Sequence, residues 1–72
     1  MKARGIYDKH GELFGYLIGN AVYDREENQT GYLRDDVIYS MTHKKQWLVQ
    51  GDGLYTPEGE SVGYLGSLFM EQ

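Results

Sequence analysis

The sequence has no cysteine and a single proline in 72 residues. Without cysteine there is no disulfide, no thiolate nucleophile and no cysteine-ligated zinc. No run of about 18 apolar residues occurs, so no segment reads as a membrane-spanning helix. No stretch combines a helical hydrophobic period with helix caps. Positive charge is scarce: 7 Lys and Arg stand against 11 Asp and Glu, for a net charge of −4. That balance argues against a nucleic acid or an anionic membrane as partner. Met1-Lys2-Ala3-Arg4 does not lead into an apolar stretch. No secretory signal is therefore read, and the cytoplasm is the expected compartment. A chain this short buries roughly 60% of its unfolded surface. Without staples it needs very regular packing or a partner subunit.

What the sequence does have is 7 Tyr and 10 Gly, and they recur. Written from Gly5 in lines of sixteen, the chain reads GIYDKHGELFGYLIGN, AVYDREENQTGYLRDD, VIYSMTHKKQWLVQGD and GLYTPEGESVGYLGSL. The repeats are thus 5–20, 21–36, 37–52 and 53–68, within one domain spanning 1–72. Tyr7, Tyr23, Tyr39 and Tyr55 share a column; Tyr16, Tyr32 and Tyr64 share another, where Leu48 is the fourth member. Ile6, Val22, Ile38 and Leu54 form one aliphatic column, and Leu17, Leu33, Val49 and Leu65 a second. Gly15, Gly31 and Gly63 share a column with Trp47. Internal periodicity of this kind marks a repeat architecture.

Each line reads as a β-hairpin: a short strand around Ile6-Tyr7-Asp8, a longer one from Leu13 to Ile18. The turn between them, Asp8-Lys9-His10-Gly11 or Thr56-Pro57-Glu58-Gly59, has a side chain that caps at its first position and glycine where φ turns positive. Gly19-Asn20, Asp35-Asp36 and Gly51-Asp52 suit the primed two-residue turns between hairpins. Strict alternation puts Leu13, Gly15 and Leu17 on one face and Phe14, Tyr16 and Ile18 on the other. The aliphatic columns are expected to fill the centre, with the tyrosines half-buried. The glycine column suits a close approach of backbone or ring. The fold class is all-β: four antiparallel hairpin repeats of sixteen residues closed about a pseudo-fourfold axis, since closure removes the exposed edges of an open meander.

The clearest copy, IYDKHGELFGYLIGN at residues 6–20, resembles the repeat of the four-fold β-flower proteins. These are small bacterial domains with four hairpin petals around a pseudo-fourfold axis. The resemblance covers residues 5–67 and implies the fold; the family carries no established activity, so it implies no function. The runner-up resemblance is to tyrosine- and glycine-rich hairpin repeats such as choline-binding repeats, which are longer, richer in tryptophan and found on secreted proteins. Repeat three departs from the pattern at Ser40, His43, Trp47 and Leu48.

No catalytic residue, metal ligand or cofactor is assigned, and the chain is not read as an enzyme. His10 and His43 sit at hairpin tips with no nucleophile and acid fixed beside them. His10, Glu12 and Asp8 lack the four-ligand spacing of zinc. Asp8 and Asp24 could suggest calcium, but Ser40 and Thr56 share their column, and all four residue types cap turns. No glycine-rich loop opens a helix to cradle phosphate. Lys44-Lys45 beside Trp47 is too little basic charge for nucleic acid. The expected function is a non-enzymatic binding or protein-interaction module, acting as a homo-oligomer. The alternative is a small-ligand-binding domain that uses a cup of Tyr and Trp. The candidate patch for ligand or partner lies where the repeat breaks: Tyr39, His43, Lys45 and Trp47. The apolar tail within 68–72 is expected to pack over an open end of the ring or on a second subunit. Leu68, Phe69 and Met70 are accordingly the candidate homodimer interface.

Overall fold

The computed structural model of the chain describes the backbone of residues 2–70 and the side chains of residues 3–66. Eight strands form: β1 (Lys2–Asp8), β2 (Leu13–Ile18), β3 (Ala21–Asp24), β4 (Gln29–Arg34), β5 (Val37–Ser40), β6 (Lys45–Gln50), β7 (Gly53–Tyr55) and β8 (Ser61–Met70). Each pairs antiparallel with its neighbours in sequence, and β8 returns to β1, closing a barrel. Petals one to four are the hairpins β1–β2, β3–β4, β5–β6 and β7–β8.

Two kinds of turn alternate, and local chemistry explains both. Within each petal the first turn residue caps the loop. Asp8 Oδ1 accepts from the His10 and Glu12 amides, both at 2.9 Å, and Asp24 Oδ1 does the same for Glu26 and Asn28. Ser40 Oγ and Thr56 Oγ1 take over the role in petals three and four. These amides, Glu12 first for Asp8 and Asn28 first for Asp24, hold both carboxyl groups below the ordinary aspartate value. The fourth turn residue is left-handed in every petal: Gly11 at φ 87°, Glu27 at 69°, His43 at 70° and Gly59 at 97°. Between petals the turns are primed, with positive φ at Gly19, at Asp35 and Asp36, and at Gly51.

The ladder within each petal slips by one residue, between Ile6 and Tyr7 and at the three equivalent places. Phe14, Thr30, Gln46 and Val62 are the residues left without a cross-strand partner, so each petal carries a β-bulge. The bulge corrects the expected side-chain alternation. Phe14 does not share the fate of Tyr16; it packs, like Val62, against the core.

The core is aliphatic and narrow: Ile6, Leu17, Val22, Ile38, Leu54 and Leu65, with Leu33, Val49 and Trp47 packed partly against it. These are the two aliphatic columns of the sequence. The glycine column packs backbone on backbone. A Cβ at Gly15, Gly31 or Gly63 would be driven into the carbonyl oxygen of Tyr23, Tyr39 or Tyr7 on the adjoining strand. Each of these glycines is in register with the turn-capping residue across the petal boundary: Gly15 with Asp24, Gly31 with Ser40, Gly63 with Asp8.

The tail continues β8 rather than starting another element. Leu68, Phe69 and Met70 lie in register with Arg4, Ala3 and Lys2 of β1. The side chains of Leu68, Phe69 and Met70, proposed from sequence as a dimer interface, lie outside the described residues. Arg4 ties the closing ladder down. Its Nε donates to the Gly66 carbonyl at 2.7 Å, and its Nη2 pairs with Asp52 at 2.7 Å.

Candidate binding clefts between the petals

The primed turns at three petal boundaries, and the closing ladder between β8 and β1 at the fourth, place the two tyrosine columns opposite each other. Tyr16 faces Tyr23, Tyr32 faces Tyr39, Tyr64 faces Tyr7, and at the third boundary Leu48 faces Tyr55. None of the seven tyrosines is buried, and Tyr64 is the most exposed at 42%. They form a belt of seams on the outside of the barrel.

The four seams are of two kinds. Tyr32 and Tyr39 stack at 5.3 Å with 19° between ring planes, and Tyr7 and Tyr64 stack at 5.3 Å and 14°. The other two seams hold open clefts. One, about 300 Å³, is lined by Tyr16, Ile18, Tyr23, Arg25 and Glu27. The other, about 360 Å³, is lined by Asp36, Leu48, Val49, Gln50, Tyr55 and Gly59. Tyr16, Ile18, Tyr23 and Glu27 lie two repeats before Leu48, Gln50, Tyr55 and Gly59 respectively. Stacked and open seams therefore alternate, and the fourfold sequence carries a twofold pattern of surface sites.

Repeat three is where the two clefts differ. At the petal three–four boundary the ladder ends at Leu48 and Tyr55, one pair short of the β2–β3 and β4–β5 ladders. The pair missing from it would join Trp47 to Thr56. A side chain in this column meets the carbonyl of the tyrosine across the boundary, so the strands part where tryptophan replaces glycine. Leu48 cannot stack, and Tyr55 is left without an aromatic partner among the described residues.

The four patch residues fall into two groups. Tyr39 and His43 are joined through Tyr32: Tyr39 stacks on its ring, and His43 Nδ1 lies 2.7 Å from its hydroxyl. Lys45, exposed, is in register with Tyr39 on the same hairpin. Trp47 packs elsewhere, edge-on to Phe14 of petal one at 5.5 Å and against the core. Phe14 and Trp47 come from opposite petals, so their contact crosses the axis. Sequence reasoning did not single out Leu48 and Tyr55 as a site. The substitution at Leu48 was the signal.

His10 at its hairpin tip donates its amide to Asp8 and is exposed. Among the described residues no three His, Asp or Glu side chains gather closely enough to hold a metal ion. Among the described residues no helix is long and apolar enough to cross a membrane. The chain matches no family model, no curated protein and no solved structure.

Proposed function

We propose that this protein is a non-enzymatic binding module whose working surface is the tyrosine belt, and that it acts as a homo-oligomer. One observation carries the reading: all seven tyrosines lie in seams outside the barrel and none is buried, while a core that is mainly aliphatic does the folding. Tyrosine offers wide amphipathic contact area with few rotatable bonds, which suits it to recognition surfaces. The closed ring leaves no free strand edge, so a partner must be held by side chains. A core of six residues favours further burial against a second copy. The fourfold order of hairpins supports membership of the four-fold β-flower proteins. A cysteine-free chain suits the reducing cytoplasm.

The test is mass in solution by light scattering, from low to high micromolar concentration. A mass well above the 8.3 kDa of one chain is expected, lowered by Tyr64→Ser. A single-chain mass throughout refutes the assembly. A second reading, a small-ligand site, is favoured by the cleft where Leu48 leaves Tyr55 unstacked. A ligand that binds only the folded barrel raises its thermal midpoint.

A further inference from the structure

We propose that the cleft between petals three and four binds a small organic cation, specifically an alkylated ammonium group. The inference rests on the small-ligand reading above and names its ligand class.

The first observation is the ring of Tyr55, which lines the cleft and has no aromatic partner among the described residues. At the stacked seams each tyrosine covers another ring. Here the opposite residue is Leu48. Behind the ring lies Gly53, where an added Cβ would stand 2.8 Å from Tyr55 Cε1. The ring is thus backed by bare backbone, and it lines the cleft. The face of an aromatic ring carries negative potential and attracts cations.

The second observation is Asp36, which lines the same cleft from the turn between β4 and β5. Its backbone is fixed by left-handed geometry at φ 64° and by a 2.8 Å hydrogen bond from the Val49 amide to its carbonyl. Among the described residues no Lys, Arg or His lies within ion-pair distance of its carboxylate. Leu48 and Val49 add apolar walls, and among the described residues neither Lys nor Arg lines the cleft.

The related cleft two repeats earlier supplies the contrast. It is built on the same columns, but Arg25 is among its lining residues. The Arg25 guanidinium offsets the carboxylate of Glu27, which lines that cleft too, so no net negative charge is left there for a cationic guest. An alkylated ammonium fits the petal three–four cleft because its charge is diffuse, its desolvation cost is low and its methyl groups match aliphatic walls. A primary ammonium is better hydrated and would be held less well. A cleft of about 360 Å³ is at the small end of ligand sites, which limits the guest to a compact head group.

The experiment is a titration of the full chain with tetramethylammonium chloride, at ionic strength held constant with sodium chloride, followed by amide NMR shifts. The neutral probe of similar shape is tert-butanol. Saturable shifts centred on Asp36, Leu48, Val49 and Tyr55 are expected, with tert-butanol binding about tenfold more weakly. Asp36→Asn removes the charge while keeping a residue that tolerates positive φ. It should lower tetramethylammonium affinity about tenfold and leave the thermal midpoint in place. Tyr55→Phe keeps the π-face and should retain binding. Equal affinity for the two probes, or an Asp36→Asn protein that binds as before, overturns the cation assignment and leaves a neutral-ligand site standing. If neither probe shifts the cleft, the small-ligand reading falls with it.

Discussion

Replacing Gly31 with alanine adds one methyl group at the most crowded point of a petal boundary. The new Cβ would point into the Tyr39 carbonyl oxygen, which is backbone and cannot swing aside. Strands β4 and β5 must separate there, breaking the register pair between Gly31 and Ser40. Petal three already displays this outcome, since the ladder stops short beside Trp47. Overpacking of this kind costs about 1–3 kcal/mol. A chain of 72 residues has about 4–11 kcal/mol of stability in all. The midpoint should fall by about 5–25 °C. Urea unfolding followed by fluorescence of Trp47, half-buried against Phe14, measures the loss directly. Gly59→Ala is the comparison, because nothing lies within 4 Å of its Cβ position and only its φ of 97° is strained. It should cost about 1 kcal/mol. If Gly31→Ala costs less than Gly59→Ala, the backbone-on-backbone packing of the glycine column is refuted.

Glu27 holds a left-handed φ of 69° at an exposed tip where petals one and four use glycine, so Glu27→Gly should stabilise by about 1 kcal/mol in urea unfolding. His43→Gly relieves the same strain but removes the contact to the Tyr32 hydroxyl, so its gain should be smaller; a larger gain would show that this contact contributes nothing. The Asp8 and Asp24 carboxyl groups are held below the ordinary value of 3.8, chiefly by the Glu12 and Asn28 amides. Their contribution is complete above that value and is lost as pH falls through the lower native values, so the thermal midpoint should be flat near neutrality and drop below about pH 4. Asp24→Ser, which copies the Ser40 cap, should flatten that acid limb; an unchanged limb would place the acid sensitivity elsewhere.

Much of this fold was legible because its chemistry repeats at a fixed period. The aliphatic columns became the core, and the Asp, Ser and Thr column became turn caps. Gly11 and Gly59 sit at positive φ where the turn rules require it. The seam pairs were also within reach: a two-residue turn at Gly19-Asn20 puts Tyr16 opposite Tyr23 by counting alone. Phe14 was misplaced because a bulge has no mark in an alternating pattern; it became visible only from the slipped register. Whether a facing tyrosine pair stacks or parts depends on side-chain rotamers, which spacing does not encode. Trp47 could be flagged as a break in the pattern. Its destination, across the axis against Phe14, is a contact between petals that are not adjacent in sequence.

Closure of the ring by β1 and β8 has a kinetic side. Every other ladder joins strands adjacent in sequence, so each can zip as soon as its own few residues exist. Hairpins of that kind form in about 1–10 μs. The closing ladder alone must wait for nearly the whole chain. Enlarging the loop from one repeat to four is two doublings, an entropic cost of only about 1.2 kcal/mol. What the seam demands is therefore patience more than free energy. Until β8 leaves the ribosome, both flanks of the growing sheet are bare strand edges open to other nascent chains. The hazard of sticking to a neighbour belongs to the roughly ten seconds of synthesis, and it ends when the last ladder shuts.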